Sequence, residues 1–387
     1  MYIDFELTPE QREFKQRVKE FLDQALPREY VRDFEARDEY PYEFWDKMAE
    51  AGYCGLLVPE EYGGSGGSAM QLALYMEELS RHSMQAAIWY LVSVVFGSMV
   101  IKELGAQESR REFLPKIAKG ETKFCFGVTE PNAGSDVLAL STFAAEKEDG
   151  FVINGDKIFT TAADVADYIL LIARTKRPQE ASHRTDGLSL FMVPRNTPGI
   201  TITNLKKMGW HGVHTCQVYY DDVWIPKQNL MGEKDKGWSH VTFIFNVERV
   251  SMAGLMVGIQ EAAFEYALNY AKERVQFGRP IGQFQAIQHS LARMYIDLET
   301  ARMWTYRLAR MSDQKIPLDL EAMMAKFVSG ENYFNFARKG MEIMGGHGFI
   351  KDHDMEQYYR SMIPIAPTQE MCLNYIGQYR LGLPKCY

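Results

Sequence analysis

The chain has 387 residues, a length that predicts two or three domains and allows a large hydrophobic core. Hydrophobic residues make up 46% of it and charged residues 24%, an ordinary water-soluble composition. The formal net charge of -8 argues against a nucleic-acid partner, because binding to phosphates needs clustered lysine and arginine.

Targeting signals are not expected from this sequence. Its first residues lack a basic stretch followed by an apolar one, and no run of eighteen apolar residues occurs further along. A secretory signal and a membrane span are therefore not predicted. The five cysteines are scattered without CxxC spacing, so neither zinc nor a disulfide framework is expected. Reduced thiols suit a cytoplasmic location.

The first third of the chain has the pattern of α-helices. Thr8, Pro9 and Gln11 form a capping-box start, and apolar residues then recur on one face of the predicted helix. A shorter helix is expected in YEFWDKMAEAG, where a glycine ends the pattern. Helices are expected again from about 68 to 119.

From about 121 to 235 the pattern changes to short runs rich in β-branched residues, such as FVINGDKIFTT, YILLIAR and LSLFMVP. Asn154 and Gly155, between two such runs, predict a hairpin turn. This middle section is expected to be an antiparallel β-barrel or β-sandwich.

After about residue 236 three long helical patterns follow, at about 240–275, 284–312 and 318–344. Long antiparallel helices of this kind pack as a bundle, here expected to be of the four-helix type. The fold class is therefore α+β. Three domains are predicted: helices over 1–120, strands over 121–235 and the bundle over 236–387.

Two stretches carry candidate chemistry. FGVTEPNAGSD, residues 126–136, ends in a turn of small residues with hydroxyls at Thr129 and Ser135, although composition alone fits an ordinary turn better. FIFNVERVSMAGLMVG, residues 243–258, sets Glu248 and Arg249 into a largely apolar helix. A carboxylate there is either a structural helix charge or a general base, since perturbed carboxylates cluster at functional sites.

Several motifs together resemble the acyl-CoA dehydrogenase family. VTEPNAGSD is similar to its TEPxAGSD signature, ERVQFGRPIGQFQAIQ to its R-x-x-FG element and EIMGGHGF to its GG-x-G element. YYDDVWIPKQNLMGEKDKGW also matches, and the motifs occur in the family's order along nearly the whole chain. The resemblance implies bound FAD, an acyl-CoA thioester substrate and a homotetramer. It also implies electron transfer to an electron-transfer flavoprotein.

The resemblance implies roles for individual residues. Those expected to line the flavin are Phe126, Val128, Thr129, Ser135, Phe159 and Thr161. Those expected to reach the ADP part of an FAD held by a neighbouring subunit are Arg274, Phe277, Gln285, Gly345 and Gly346. Those expected on the substrate side are Ser135, Asn246, Arg249, Trp89 and Tyr90. For the last two, core packing is an equally good explanation; as pocket residues they would favour a short or ring-bearing acyl group.

The chain departs from the family at the usual catalytic base. Where members carry YEGTSEIQ, this sequence reads IPIAPTQEMCLNYI, which puts Gln369 or Ala366 at the base position, depending on the alignment. Glu370 is one step away. In the isovaleryl and long-chain types the base lies on the helix written here as NVERVSMAG, at Glu248. We therefore predict Glu248 as the catalytic base, with Glu370 as the alternative.

Three functions remain open at this point. The leading one is an acyl-CoA dehydrogenase that removes an α-proton and transfers a β-hydride to FAD, giving an enoyl-CoA. The second keeps the fold but runs as an enoyl-CoA reductase or as a ring or γ-position dehydrogenase. The third is a non-catalytic protein that binds CoA esters. His211 and His214 lack carboxylate or thiol partners at ligand-like spacing, so no metal is expected.

Overall fold

Helices occupy both ends of the chain and strands occupy the middle in the computed structural model, which describes residues 6–361 and 368–385. The predicted order of α, β and α and the α+β class are thus confirmed. Ala366, one of the two positions aligned with the family's usual base, lies outside the described residues, as does the side chain of Asn246.

The N-terminal part is built from seven helices in the described range. They are α1 (Pro9–Ala25), α2 (Arg28–Arg37), α3 (Tyr42–Glu50), α4 (Ala69–His82), α5 (Met84–Tyr90), α6 (Phe96–Leu104) and α7 (Gln107–Ala118). The capping box of α1 is confirmed, because Gln11 N donates to Thr8 Oγ1 at 3.3 Å and Thr8 N donates to Gln11 Oε1 at 3.0 Å. A π-helical turn, Leu91–Val95, joins α5 to α6.

The middle part is a mixed sheet of eight strands. They are β1 (Phe124–Gly127), β2 (Phe143–Glu146), β3 (Gly150–Thr161), β4 (Tyr168–Arg174), β5 (Leu188–Pro194), β6 (Ile200–Asn204), β7 (Thr215–Pro226) and β8 (Leu230–Met231). Their order is β6-β7-β3-β2-β4-β5-β8, with β1 also paired to β4. The expected antiparallel pairing holds for five strand pairs of this sheet and is wrong for two, because β1 and β2 both run parallel to β4.

The hairpin turn predicted at Asn154 and Gly155 is also wrong. β3 runs straight through this dipeptide, and its register against β7 shifts between Ile153 and Gly155, which makes a bulge. Gly155 has a φ of 140°, and a Cβ there would lie 2.7 Å from the Thr142 Cα. The glycine therefore serves a close strand approach instead of a turn.

The C-terminal part is dominated by three long helices, α8 (Gly237–Glu273), α9 (Gln285–Asp313) and α10 (Asp319–Met344). A small ribbon of β9 (Val275–Gln276) and β10 (Arg279–Pro280) separates α8 from α9. Shorter helices follow: α11 (Gly346–Phe349), α12 (Met355–Arg360) and α13 (Gln369–Tyr379). The bundle thus has three long members, and α13 packs on α10 as a short fourth one.

The long helices tie the three parts together. α8 packs along α4 and α10, so one hydrophobic core extends from the N-terminal helices into the bundle. Two helical stretches, Met84–Leu104 and Gly237–Glu273, are long and apolar enough to cross a membrane. Their most apolar windows are 100% and 71% buried inside the protein, which is how core helices of a folded chain behave.

Candidate active site

The segment after β1 is held in place by a buried ion pair. The Lys157 ammonium, which is fully buried, donates to the Val128 carbonyl at 3.0 Å and to the Glu130 carboxylate at 2.8 Å. The same carboxylate accepts bonds from Ser141 N, Ser141 Oγ and Thr142 N at 2.6, 2.8 and 2.8 Å. Five contacts therefore fix the backbone that carries Val128 and Thr129.

Charge and hydrogen bonds decide whether Glu130 and Lys157 are ionised. Burial alone would raise the pKa of Glu130, but the Lys157 charge and the donated bonds lower it to about 2. Burial lowers the pKa of Lys157 to about 8, against the opposing charge of Glu130. Both groups remain ionised at neutral pH, so Glu130 has a structural role in the motif.

The two segments predicted to line the flavin are joined by a main-chain bond. Ile158 N donates to the Thr129 carbonyl at 2.9 Å, next to Phe159 on the bulged part of β3. Phe159 has a φ of 59° and is 63% exposed, an unusual state for a large apolar residue. Thr161, at the end of the strand, is half-buried. The fold therefore presents an aromatic ring at this edge and anchors it there.

The turn that ends the motif is open. Ser135 is exposed, and a Cβ placed on Gly134 would meet nothing within 4 Å. Val128 and Thr129 are half-buried at its start. An open turn beside an anchored edge leaves room for a large flat group.

Glu248 lies in the bundle, on the part of α8 that packs against α10. The residue is 8% exposed. Burial raises the pKa of its carboxyl to about 7, and the charges of Arg249 and Lys326 only partly oppose this. A carboxyl group with this pKa can both take up and release a proton near neutral pH, which suits a general base.

The alternative base has a different environment. Glu370, in the first turn of α13, is exposed, and its own backbone N–H and the Thr368 hydroxyl lower the pKa of its carboxyl. Gln369, beside it, is half-buried and has no titratable group. Of the two glutamates, only Glu248 is buried.

Arg249 points away from solvent with 10% of its side chain exposed, and its guanidinium lies 3.9 Å from the Asp319 carboxylate at the start of α10. Its predicted substrate role stays a prediction. The contact with Asp319 supplies the structural partner that a buried arginine needs.

Trp89 and Tyr90 lie within the N-terminal helices. The Trp89 ring is 4.4 Å from that of Trp45 and 5.0 Å from that of Tyr40, measured between centroids. The Tyr90 hydroxyl donates to the Tyr53 carbonyl at 3.0 Å. Core packing, one of the two explanations offered from the sequence, accounts for both rings.

Three phenylalanines that the sequence did not single out as a group lie close together. The ring centroid of Phe126 lies 5.0 Å from that of Phe96 and 6.0 Å from that of Phe245. Phe245 precedes Glu248 by three residues on α8, so both lie on one helix face. That spacing was a visible signal, but the partners on α6 and β1 are distant in sequence.

The second predicted cofactor group lies at the far end of α8. Arg274 is the residue that follows α8, 26 residues after Glu248, which corresponds to about 39 Å along a helix axis. Phe277 has a φ of 54° and is 93% exposed, with its ring 5.9 Å from that of Phe284. Gln285, which begins α9, is exposed too.

Gly345 and Gly346 lie near the same end of α8. Their neighbour His347 approaches the Tyr270 hydroxyl through Nδ1, at 3.1 Å, and Tyr270 is one turn before Arg274. A Cβ on either glycine would meet nothing within 4 Å. The structure therefore separates the predicted cofactor residues into two groups, one around Phe126 and Phe159 and one at this end.

Both groups suit FAD chemically. Each presents an exposed aromatic ring in a left-handed backbone conformation together with at least one open glycine, features that fit close approach of a flat ring or a pyrophosphate. The second group adds the guanidinium of Arg274, whose planar fork suits a phosphate.

Fold and motifs together define a class, the flavin-dependent oxidoreductases that act on acyl-CoA thioesters. Three family models match in succession: the N-terminal domain of acyl-CoA dehydrogenase at residues 8–121, its middle domain at 125–223 and its C-terminal domain at 235–365. The chain belongs to the acyl-CoA dehydrogenase family, and FAD is the cofactor of that family.

Relatives cover nearly the full length. The chain is 35% identical to the probable acyl-CoA dehydrogenase YngJ of Bacillus subtilis, over 92% of this chain and 93% of that one. It is 36% identical to the caffeyl-CoA reductase-Etf complex subunit CarC of Acetobacterium woodii, over 89% and 90%.

Two solved structures have the same fold. A glutaryl-coenzyme A dehydrogenase in complex with glutaryl-CoA superposes with a TM-score of 0.93 at 31% identity, covering 99% of this chain and 98% of that one. An FAD complex of PigA gives 0.92 at 25% identity, covering 98% and 100%.

Proposed function

We propose that this protein is an FAD-dependent acyl-CoA dehydrogenase in which Glu248 exchanges the α-proton of the thioester. The observation that carries the proposal is the buried Glu248 carboxyl, with its pKa raised to about 7, one helical turn from a phenylalanine that contacts the β1 segment. In the first step the carboxylate removes the proton from the carbon next to the thioester. Bound FAD supplies the hydride acceptor, which no side chain can replace.

The residues around the flavin have holding roles in this proposal. Val128 and Thr129 are fixed by the Lys157 and Glu130 pair and would support the flavin ring together with Phe126, Phe159 and Thr161. A rigid support keeps donor and acceptor atoms in a reactive geometry.

Other parts of the site would hold the thioester. Ser135 would lie between flavin and CoA, and Asn246 and Arg249 on the substrate side. Trp89 and Tyr90 make core contacts, so a role for them in the acyl pocket is supported less well than a role for Phe96, Phe126 and Phe245.

We also propose a homotetramer in which the second group of cofactor residues serves a neighbouring protomer. The rise of about 39 Å along α8 from Glu248 to Arg274 supports this, because it places Arg274 far from the part of α8 where Phe245 contacts Phe126. The exposed apolar residues of α9, namely Tyr295, Ile296 and Met303, suit burial in a subunit interface. A Phe277→Ala variant is expected to lose FAD on gel filtration while Trp224→Ala, an exposed aromatic on β7, keeps it.

Electrons are proposed to leave through an electron-transfer flavoprotein in the cytoplasm. CarC, by its name part of a reductase-Etf complex, supports a partner of this kind. The same relative favours a second candidate, an enoyl-CoA reductase, in which protonated Glu248 returns a proton to the α-carbon.

One experiment tests the base. Purified holoenzyme is mixed anaerobically with saturated CoA esters, and loss of the oxidised flavin absorbance is followed. Glu248→Gln is expected to slow this bleaching by a factor of about 10² to 10⁴ while FAD stays bound. Glu370→Gln is the matched control and should bleach normally. Normal bleaching by Glu248→Gln would overturn the assignment of the base.

The same assay separates the candidate functions. Bleaching by saturated esters supports the dehydrogenase, and reoxidation of chemically reduced flavin by unsaturated esters alone supports the reductase. A yellow protein whose flavin spectrum changes with neither saturated nor unsaturated esters would be a non-catalytic CoA-ester binder.

A further inference from the structure

We propose that Phe96, Phe126 and Phe245 form an aromatic subsite for the acyl group, and that the substrates are aryl-bearing thioesters such as 3-arylpropanoyl-CoA and 3-arylacryloyl-CoA. This inference rests on the proposed function and adds the substrate class to it. The three residues are called the Phe subsite below.

The Phe subsite lies next to the proposed base. Phe245 and Glu248 are three residues apart on α8, which places their side chains on adjacent turns of one face. From Phe245 the rings continue to Phe126 at 6.0 Å and to Phe96 at 5.0 Å. An acyl group with its α-carbon at Glu248 therefore has aromatic surface beside its distal end.

Two of the rings keep free surface. Phe126 and Phe245 are half-buried, whereas Phe124, two residues earlier on the same strand face, is fully buried against Tyr168 with a centroid distance of 5.8 Å. The core thus uses Phe124 for packing and leaves Phe126 with surface that would border both the flavin and the acyl group next to it.

The third ring is held firmly in place. A Cβ on Gly97 would lie 2.4 Å from the Phe124 ring, so α6 is pressed directly onto β1 at this point. The tight approach fixes Phe96, which is 8% exposed, against Phe126. A rigid set of rings favours offset or edge-to-face contact with another ring over a flexible alkyl chain.

The helical wall behind the rings carries no charge. Residues 84–101 read MQAAIWYLVSVVFGSMVI, without a lysine, arginine or histidine. A second carboxylate on the acyl group, as in glutaryl-CoA, would find no cation on this wall, and Arg249, the cation on the substrate side, already faces the Asp319 carboxylate. Such a carboxylate would be costly to bury. The chemistry of the wall therefore favours a neutral, flat acyl group.

The kinetic test uses the holoenzyme and four esters: 3-phenylpropanoyl-, butanoyl-, octanoyl- and glutaryl-CoA. The ratio of kcat/KM for the phenylpropanoyl ester to that for the butanoyl ester is expected to be above one. It should fall by about two- to tenfold in each of Phe245→Leu and Phe96→Leu. Phe243→Leu is the control, because Phe243 is 49% exposed and lies two residues from Phe245 on another face of α8.

A binding measurement gives a readout that is independent of turnover. Calorimetric titration of the oxidised protein with 3-phenylacryloyl-CoA and but-2-enoyl-CoA should show tighter binding of the aryl ester, and the two subsite variants should reduce that preference by the same factor. If either variant fails to fold, the order in which the unaltered protein prefers the esters still tests the Phe subsite.

The outcomes separate this inference from the function on which it rests. Preference for octanoyl- or glutaryl-CoA, or subsite variants that bind FAD and keep the wild-type ratio, would overturn the Phe subsite while Glu248-dependent bleaching upholds the dehydrogenase. If no ester, saturated or unsaturated, changes the flavin spectrum, both the function and the subsite are wrong.

Discussion

Two buried glutamates, each with a lysine nearby, have opposite properties. Glu130 in the sheet accepts four hydrogen bonds, one of them from Lys157, and its pKa is lowered to about 2. Glu248 in the bundle is affected by Lys326 and Arg249, yet burial prevails and its pKa is raised to about 7. The comparison teaches that burial makes a carboxylate reactive only where donated bonds do not compensate for its lost hydration.

The largest effect is expected when the buried ion pair of Lys157 and Glu130 is broken. Lys157→Met leaves the buried Glu130 carboxylate without its counter-charge, so the free energy of unfolding should fall by about 3–5 kcal/mol in denaturant titrations. The control is Lys234→Met, which removes the exposed partner of Glu146 in the same part of the chain and should cost at most about 1 kcal/mol. Equal losses in the two variants would contradict the structural role of the pair.

The second-largest expected effect is the loss of stability caused by ionisation of the buried Glu248 carboxyl. The pKa of Glu248 is higher in the folded chain, about 7, than its ordinary value of 4.5. Between these values the folded chain holds a proton that the unfolded chain has released, so stability falls as pH rises through this range. Glu248→Gln should therefore be more stable than the unaltered protein at pH 8, by about 2–3 kcal/mol, with no gain at pH 4. Thermal melts at both pH values measure this difference; a gain of the same size at pH 4 would refute it.

A third prediction sharpens the comparison through the lysine beside Glu248. Lys326 is 4% exposed on α10, and burial lowers the pKa of its ammonium against the charge of Glu248. Removing this positive charge in Lys326→Met should raise the pKa of Glu248. The rate of flavin bleaching, which increases with pH as Glu248 loses its proton, should then reach half its maximum about one pH unit higher.

The remaining titratable groups around Glu248 are the same in that variant. They are Arg249 on its own helix, Asp319 near Arg249, and the buried thiol of Cys372 near Lys326. Lys339→Met, on the same helix but paired with Glu342 at the surface, is the control and should leave the pH profile in place. An unshifted profile in Lys326→Met would mean that this lysine supports the fold without affecting the base.

The smallest expected effect concerns the alternative base. Glu370 is exposed, and the pKa of its carboxyl is lowered, so it is already charged across the working pH range. Glu370→Gln should leave both the pH profile of bleaching and the midpoint of thermal unfolding essentially unchanged. A large change in the pH profile of bleaching would instead assign the reactive carboxyl to Glu370 on α13.

Local patterns predicted much of the fold. The capping box at Thr8 and Gln11 and the three long apolar-periodic helices follow from interactions within one turn of the chain, so the sequence contained them. The errors came where partners are distant. Asn154 and Gly155 have the composition of a hairpin turn, but β7 and the Thr142 backbone select a bulge there.

The candidate site divides in the same way. Glu248 could be identified from the sequence because a charged residue within an apolar helical pattern is evident from its immediate neighbours. The motif that resembles the family is also a short continuous stretch. The sequence could not tell whether Glu248 or Glu370 is buried, because burial depends on α10 packing against α8. Nor could it bring together Phe96 and Phe245, which are 149 positions apart and meet only through β1.

By itself, the sequence determined the order of helices and strands, the family and its cofactor, because these depend on short motifs and on periodicities within one element. Only the tertiary structure decided which carboxylate is buried without sufficient compensation, which rings keep surface for a ligand and how far apart the two cofactor groups lie. These properties arise where separate elements exclude water from one another, and that exclusion depends on how the whole chain packs.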